Sequence, residues 1–262
     1  MVAIRVNRNR NSPPRAIVNR RYDPTPAVAA TEIGTCGHCG RFLTSSGDQD
    51  DTSIFRTNVV FTDGSCLTNA QGQTYTGWGI ATGTNESQQY AIPFDCSVGK
   101  RTSQRAELLG AYEGMIRGLR DMIRDCPRYG EQHTDWGNRN ELVIFCDSEY
   151  VVKTMMQWLP VWKANDMKNS SGKTPANLDI ILNFDERIDA YAREGYHVGF
   201  KHVPRHRNEL ADKLSKRAAE MDLKVMSGMS RHDASTTVNK SSPDLAVSQF
   251  TSSFLQLPNL VD

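Results

Sequence analysis

The length and composition of the chain limit what it can be. It has 262 residues, of which 38% are hydrophobic, and this suits one generous domain or a compact domain with polar tails. The 31 Lys and Arg residues nearly balance the 30 Asp and Glu residues, so any nucleic-acid surface must come from local clustering of charge. Six dispersed cysteines, the lack of a recognisable signal peptide and the lack of an apolar run of about 18 residues argue against an oxidising compartment and a membrane span. We therefore expect an intracellular protein, in the nucleus, the cytoplasm or a mitochondrion, with no membrane partner.

The N-terminal region, residues 1–54, is expected to be a basic, disordered arm outside the folded domain. Its first 21 residues contain six arginines and no acidic residue, mixed with Asn and Pro. Such a composition is typical of disorder. A solvated tail is the simplest interpretation, and weak attraction to nucleic acid or a targeting role are the alternatives.

Cys36 and Cys39 are separated by two residues, a spacing that metal ligands use. Two thiolates at this spacing can bind one zinc ion, but a closed zinc site needs four ligands. No second Cys or His pair lies nearby in the sequence, and the other cysteines fall in the predicted domain. The sequence therefore favours an incidental pair over a structural zinc site.

The middle of the chain, residues 55–222, is predicted to be one α/β domain. Three short β-rich runs separated by polar turns predict an antiparallel meander, and a long amphipathic helix follows it. Later strands and helices alternate, which implies a mixed five-stranded sheet of three antiparallel and then two parallel strands, flanked by helices. The predicted strands are 58–63, 76–82, 88–94, 141–147 and 196–203, and the helices centre on 108–122, 148–155, 178–193 and 208–221. Residues 223–262 are rich in serine and are predicted to be a disordered tail with unknown partners.

Four acidic residues stand where predicted elements begin or end. Asp63 ends the first strand and Asp147 ends the fourth, and these carboxyl ends become neighbours if the fourth strand lies beside the first. Glu107 lies one turn inside the long helix, and Asp212 lies in the first turns of the last helix. Taken singly, each acid is more often a surface or capping residue. As a set, crowded carboxylates require cations and suit Mg²⁺ or Mn²⁺, so the pattern predicts a two-metal site for phosphodiester chemistry.

Four short motifs contain these acids. They are residues 62–66 (TDGSC), 102–107 (TSQRAE), 146–148 (CDS) and 202–212 (HVPRHRNELAD). In this order and on these elements they resemble type 1 ribonuclease H, most closely the eukaryotic form, over about residues 56–221. The resemblance implies a ribonuclease H-like fold.

The same resemblance implies roles for the catalytic residues. It makes Asp63, Glu107, Asp147 and Asp212 the catalytic ligands of two Mg²⁺ or Mn²⁺ ions. It makes His206 a mobile histidine that assists water activation or product departure. The segment between His206 and Asp212 is shorter than the family's usual one, and His202 at the strand end is the alternative histidine.

Recognition of an RNA strand beside a DNA strand is also implied by the resemblance. Small polar side chains in the minor groove can test for the 2′-hydroxyl, and the implied residues are Ser65, Asn69, Ser103 and Gln104. For the DNA strand the resemblance implies an aromatic pair with a phosphate pocket, formed by Trp158, Trp162, Lys100, Thr102, Ser170 and Asn177. Pro160 and nearby lysines favour an exposed basic ridge for the tryptophans, and a buried core pair is the alternative.

We therefore expect a monomeric endoribonuclease that hydrolyses the RNA strand of RNA/DNA hybrids and leaves 5′-phosphate and 3′-hydroxyl ends. One alternative is a catalytically silent hybrid-binding protein on the same fold, although all four acids are present. Another is a ribonuclease H domain derived from a retroelement, although the chain has no polymerase-sized segment and begins with its own Met1. A hybrid-binding module ahead of the domain is not expected, since residues 1–50 lack aromatic-rich strands.

Overall fold

Among the residues that the structure describes, an eight-stranded mixed β-sheet forms the centre. The computed structural model describes residues 21–22, 33–37, 39–46, 55–123 and 141–228. The strands are β1 (Arg21–Tyr22), β2 (Ile33–Thr35), β3 (Phe42–Ser46), β4 (Phe55–Thr68), β5 (Thr74–Ala81), β6 (Gln89–Pro93), β7 (Glu141–Cys146) and β8 (His197–His202). The α-helices are α1 (Ser103–Ile123), α2 (Glu149–Lys153), α3 (Leu159–Ala164), α4 (Leu178–Arg193) and α5 (Glu209–Met226).

The sheet confirms the predicted arrangement of its five central strands. Strands β4, β5 and β6 form an antiparallel meander, and β7 and β8 follow β4 in parallel on its other edge. The register places Phe61 of β4 opposite Phe145 of β7 and places Asp63 opposite Gly79 of β5. Strand β7 is buried along nearly its whole length, as expected of a strand covered on both faces, whereas β8 is buried in its middle, from Val198 to Phe200.

Three further strands were not predicted. Strands β2 and β3 form an antiparallel hairpin, β3 pairs with the first residues of β4, and β1 pairs with β8 in parallel. These strands are short or polar, as in the β3 sequence FLTSS, so they lack the apolar alternation that identifies a strand. The sheet therefore begins before residue 55. The division into an arm, a domain and a tail stays a prediction, and the other residues of the two ends lie outside the described residues.

Apolar side chains on alternate strand positions pack against helices on both faces of the sheet. Val60 and Ile80 belong to a cluster with side chains of α1 and α4, whereas Phe61 and Ala81 belong to a second cluster with side chains of α5. This follows from the two-residue period of a strand, which sends successive side chains to opposite faces. The domain therefore has three layers.

A π-helical segment, Thr154–Trp158, joins α2 to α3. Pro160 lies at the start of α3 and has no N–H to donate. Just before it the backbone widens, and the amide of Leu159 donates to the carbonyl of Thr154, five residues earlier. At the other end, the Ser148 hydroxyl accepts the amide of Val151 and caps α2.

Two glycines let helices lie directly against the sheet. A Cβ on Gly64 of β4 would lie 2.2 Å from the backbone nitrogen of Glu107, and a Cβ on Gly79 of β5 would lie 2.3 Å from the carbonyl oxygen of Ala211. Backbone atoms cannot yield to a side chain as a flexible neighbour could. The missing side chains therefore set how closely α1 and α5 approach the strands.

We expect Gly64→Ala to lower the free energy of unfolding by about 1–3 kcal/mol, because the added methyl overlaps the backbone of α1. Urea denaturation measures this change. Gly34→Ala on β2 is the matched control, since nothing lies within 4 Å of its Cβ position, and its effect should stay within about 0.5 kcal/mol. Equal stability of the two variants would contradict the close contact.

Candidate active site

Asp63 was predicted to end its strand, but it lies inside β4, which continues to Thr68 because its pairing with β5 extends beyond its pairing with β7. It lies on the face of the sheet that α5 covers. The buried hydroxyl of Ser215 on α5 donates to a carboxylate oxygen of Asp63. The Asp63 side chain is also within hydrogen-bonding reach of the Asp147 carboxyl. Asp63 therefore has one neutral donor from the protein and one acidic neighbour.

Asp147 reaches this position because it follows the end of β7. Since Phe61 is paired with Phe145, Asp63 and Asp147 both stand two residues beyond the last parallel pair. The side-chain amide of Asn208, a buried residue, donates to Asp147 Oδ1 at 2.9 Å and to the carbonyl of Thr62 at 3.0 Å. Asn208 thus joins the middle of β4 and the residue after β7 to the start of α5.

Glu107 enters the site from the second turn of α1. Its Oε2 accepts a hydrogen bond of 2.5 Å from the hydroxyl of Ser148. The same hydroxyl accepts the amide of Val151 as the cap of α2, which directs its proton toward Glu107. The capping residue after β7 therefore also positions the acid on α1.

Asp212 lies in the first turn of α5 and carries two cationic partners. Arg205 donates to its Oδ1 at 2.7 Å, and Lys216 donates to its Oδ2 at 2.6 Å. Both partners are largely solvent-exposed, with side-chain exposures of 71% and 50%. The structure therefore brings together all four predicted acids, although their partners differ in charge.

These partners give the acids different proton affinities. Burial, reinforced by the charges of Asp147 and Asp212, raises the pKa of Asp63 to about 7, although the Ser215 hydrogen bond opposes this. Burial also raises the pKa of Glu107, helped by Asp147 and opposed by Ser148 and Arg205. Burial alone would raise the pKa of Asp212, but the hydrogen bonds and charges of Lys216 and Arg205 outweigh it and lower the pKa.

The donor set suits a hard divalent cation. All four side chains offer carboxylate oxygens, which suit Mg²⁺. Burial and the charges of Asp147 and Asp212 raise the pKa of Asp63, and a bound cation would favour its ionised form. Within the described parts of the chain, however, no three His, Cys, Asp or Glu side chains are already grouped as ligands of one ion. The carboxylates instead accept hydrogen bonds from Ser148, Ser215, Arg205 and Lys216. Two-ion binding by these acids therefore stays a prediction.

His206 lies outside this hydrogen-bonded group. It is exposed in the 3₁₀ turn Arg205–Arg207, between β8 and α5. The turn directs its neighbour Arg205 onto Asp212. His202, the alternative histidine, is exposed at the end of β8, opposite Cys146 in the register.

The residues expected to contact the minor groove have different exposures. Ser65 lies two residues beyond Asp63 on the same strand and is buried. Asn69 closes the turn between β4 and β5, where its Oδ1 accepts the amides of Gln71 and Gln73. Ser103 and Gln104 are exposed at the start of α1.

The structure places the two tryptophans differently. Trp158 is 37% exposed, whereas Trp162 is partly buried and packs against the larger core cluster. Their ring centroids are 6.0 Å apart, and Tyr150 lies 6.1 Å from Trp158. The predicted exposed ridge therefore applies to Trp158, while Trp162 is half in the core. Lys163, one of the nearby lysines, forms an ion pair with the buried Asp185 of α4.

Arg105 links two residues of the predicted phosphate pocket. Its amide donates to the hydroxyl of Thr102 at 3.2 Å, and its guanidinium donates to Asn177 Oδ1 at 3.4 Å. Asp179 fixes that guanidinium through a two-point ion pair. Lys100 is exposed just before Thr102, and Ser170 is exposed in the loop after α3.

The sequence did not reveal the residues that hold the acids in place. These are Ser148, Asn208 and Ser215, together with Arg205 and Lys216. Ser148 lies inside the recognised motif at 146–148, but its hydrogen bond to Glu107 depends on the approach of α1. Asn208 and Arg205 lie inside the recognised motif at 202–212, which was the available signal for them. Ser215, one turn beyond Asp212, carried no signal of its own.

Comparison with known proteins decides the family. The RNase H family model matches residues 56–220, well over half of the chain. The chain belongs to the RNase H family. The predicted resemblance to type 1 ribonuclease H is thereby confirmed, and the four acids lie within the matched range.

Similar proteins come from several kinds of organism. Ribonuclease H1 of Homo sapiens is 29% identical over 166 residues, which cover 62% of this chain and 50% of that protein. Ribonuclease H of Blochmanniella floridana is 26% identical over 170 residues, covering 65% of this chain and 87% of that protein. The solved RNase H domain of PFV is 21% identical with a TM-score of 0.44, covering 62% of this chain and 94% of that one. The chain spans about half the length of the mammalian relatives that it matches. Among its described helices, none is both long and apolar enough to cross a membrane.

The raised pKa of Asp63 predicts a pH-dependent stability in metal-free buffer. The folded protein keeps the Asp63 proton up to about pH 7, whereas the unfolded chain releases it near pH 3.8, the ordinary pKa of an aspartic acid. Because the folded state binds more protons between these values, this group lowers the free energy of unfolding as pH rises from 3.8 to about 7. Asp63→Asn should remove that contribution and be more stable than the wild type at pH 7.

Urea denaturation at several pH values, with a chelator present, measures this difference. Glu220→Gln, which replaces an exposed acid of α5, is the matched control and should follow the wild-type curve. Parallel curves for the wild type and Asp63→Asn would show that Asp63 is already ionised in the folded state at low pH.

Proposed function

We propose that the chain is an endoribonuclease that hydrolyses the RNA strand of RNA/DNA hybrids with the help of two divalent ions, Mg²⁺ or Mn²⁺. The observation that carries this proposal is the gathering of Asp63, Glu107, Asp147 and Asp212 from four different elements onto one end of the sheet. Membership of the RNase H family supports it, as do the names of the relatives, which are called Ribonuclease H or Ribonuclease H1. Two thiols described as free, Cys66 and Cys146, fit the proposed intracellular location.

The reaction adds water to a phosphorus of the RNA strand and breaks its bond to the 3′ oxygen. Divalent ions bound by the four carboxylates would lower the pKa of the attacking water and neutralise charge that develops on the phosphate. The products carry a 5′-phosphate and a 3′-hydroxyl.

The remaining residues of the site hold the acids and supply positive charge. Asn208 fixes the carboxylate of Asp147, and Ser148 fixes that of Glu107. Arg205 and Lys216 surround Asp212, and their exposed side chains can turn from that carboxylate to a phosphate oxygen. His206, exposed in the preceding turn, is proposed to exchange a proton with the water or the leaving 3′ oxygen.

Recognition of the hybrid is assigned to two surfaces. Ser65, Asn69, Ser103 and Gln104 are proposed to contact the minor groove, where the 2′-hydroxyl distinguishes RNA from DNA. Trp158 is proposed to contact the DNA strand, with phosphates at Lys100, Thr102, Ser170 and Asn177. The link that Arg105 makes between Thr102 and Asn177 supports a single polar pocket there. We propose that the protein binds the hybrid as a monomer.

Asp147→Asn should reduce cleavage of a labelled RNA/DNA hybrid in Mg²⁺ by at least about 10²-fold, the scale for losing one group that stabilises transition-state charge. Hybrid binding should survive, because the change preserves shape and the contact with Asn208 can persist. Ca²⁺ should support binding but little cleavage, since its larger radius and looser coordination disturb the site.

The control for this experiment is Glu220→Gln, which should cleave like the wild type. RNA/RNA and DNA/DNA duplexes should remain intact under the same conditions. Binding of the hybrid without cleavage by the wild type would instead support the catalytically silent alternative. Near-normal turnover by Asp147→Asn would contradict the proposed role of this acid.

The two tryptophans are expected to respond differently to truncation. Trp158→Ala should weaken hybrid binding by about 1–3 kcal/mol, the usual range for an aromatic platform, and leave the melting temperature nearly unchanged. Trp162→Ala should lower the melting temperature, because this side chain packs against the larger core cluster.

Thermal unfolding and hybrid affinity, measured on both variants, test this division. Val161→Ala is the control, since Val161 lies between the tryptophans and is 63% exposed. A loss of stability in Trp158→Ala with unchanged affinity would return that residue to a structural role.

A further inference from the structure

The turn between β2 and β3 brings two cysteines together outside the candidate active site. Thr35 is paired with Phe42, and the amide of Cys36 donates to the carbonyl of Arg41 at 2.8 Å. The amide of Gly40 then donates to the carbonyl of Cys36 at 2.8 Å, with Gly40 in the left-handed region at φ 73°. These bonds fold the chain back on itself within a few residues. Cys39 consequently packs against the small cluster formed by Cys36 and Leu43.

The turn is fastened to the main sheet by the β5–β6 connection. The side-chain amides of Asn85 and Gln88 both donate to the carbonyl of Cys39, at 3.0 and 2.9 Å. The amide of Thr84 donates to the carbonyl of Gly40 at 2.9 Å. Three donors on one short peptide segment hold the cysteine turn in a single conformation, as a ligand-bearing turn requires.

The apolar cluster of this region is small. Its core cluster consists of Cys36 and Leu43, with Cys39 packed against them. Two of the three side chains are therefore thiols, and Cys36 is only 9% exposed. Small segments with so little core are usually held by a metal or a disulfide, and metal binding then contributes directly to folding.

We propose that Cys36 and Cys39 are two ligands of a structural zinc ion. The sequence alone favoured an incidental pair, but the closed turn, its three external donors and the sulfur-rich cluster favour the metal. Thiolates are soft ligands that select zinc, whereas the all-carboxylate site selects hard cations, so the two sites differ in chemistry. Among the residues that the structure describes, no third His, Cys, Asp or Glu joins the pair, and the proposal concerns these two ligands.

The test measures zinc in the full 262-residue chain, purified without added metal. Elemental mass spectrometry after gel filtration should find about one zinc per chain. Cys36→Ser and Cys39→Ser should lose it. Cys66→Ser, which removes a thiol of β4, and Asp147→Asn, which removes an active-site acid, should keep it.

A second measurement covers the case in which the serine variants fail to fold. Cobalt exchanged into the wild type should give the thiolate-to-metal charge-transfer absorption, and Cys39→His should retain a bound metal because imidazole also binds zinc. A strong chelator should lower the melting temperature of the wild type.

Several results would overturn the proposal. They are folded wild-type protein without zinc, a Cys36–Cys39 disulfide in the intact mass, zinc retained by both serine variants, or zinc lost from Asp147→Asn. None of these depends on cleavage of a hybrid, so the zinc proposal and the proposed function can fail separately.

Discussion

The close packing of α1 against β4 is the contact on which the candidate site depends. A Cβ on Gly64 would collide with the backbone of Glu107, Gly110 lies against the carbonyl of Asp63, and Gly114 lies against Thr62. Helix α1 therefore runs antiparallel to β4, and its N-terminal end lies beside the C-terminal part of that strand. That end of a helix carries partial positive charge. The same contact that buries the helix thus delivers Glu107 to the other acids and moderates the repulsion among them.

Negative charge is compensated unevenly across the site, because the acids differ in the hydrogen-bond donors that surround them. Asp212 lies at the rim, where long cationic side chains reach it from solvent, and its pKa is lowered despite partial burial. Asp63 lies deeper, where Ser215 is its neutral donor and Asp147 is its neighbour, and its pKa is raised to about 7. An added cation would therefore gain most beside the Asp63–Asp147 pair, where negative charge is least compensated.

The sequence predicted the parts of the molecule that depend on local pattern. Apolar periodicity located the five central strands and the main helices. Asp147 follows the end of β7 as predicted, whereas Asp63 lies inside β4, two residues beyond the last parallel pair with β7. The donors could not be found in this way. Ser215 donates to Asp63 across 152 residues of sequence, so its role appears only when α5 is packed on the sheet. Strands β2 and β3 were not predicted for a related reason. Their composition does not identify them, and they are strands because β2 pairs with β3 and β3 pairs with β4.

The position of α5 joins the site to a second, distant contact. Near the C-terminal end of the helix, the buried Asp222 accepts two hydrogen bonds from Arg101, at 2.9 and 3.0 Å, and one from the amide of Thr76 at 2.9 Å. Arg101 lies two residues before α1 begins. The ion pair therefore ties the start of the helix that carries Glu107 to the end of the helix that carries Asp212.

Breaking a buried pair of this kind leaves an uncompensated charge and is strongly destabilising. The Arg101–Asp222 pair also helps to fix the position of α5. Gly79 allows α5 to contact β5 but does not determine where the helix lies along the strand. Hydrogen bonds at both ends do so: Asn208 donates to the carbonyl of Thr62 at the start, and Asp222 accepts the amide of Thr76 near the end. Since the Arg101–Asp222 pair joins the residues just before α1 to α5, the acids of these two helices are held in a fixed relation although they come from opposite faces of the sheet.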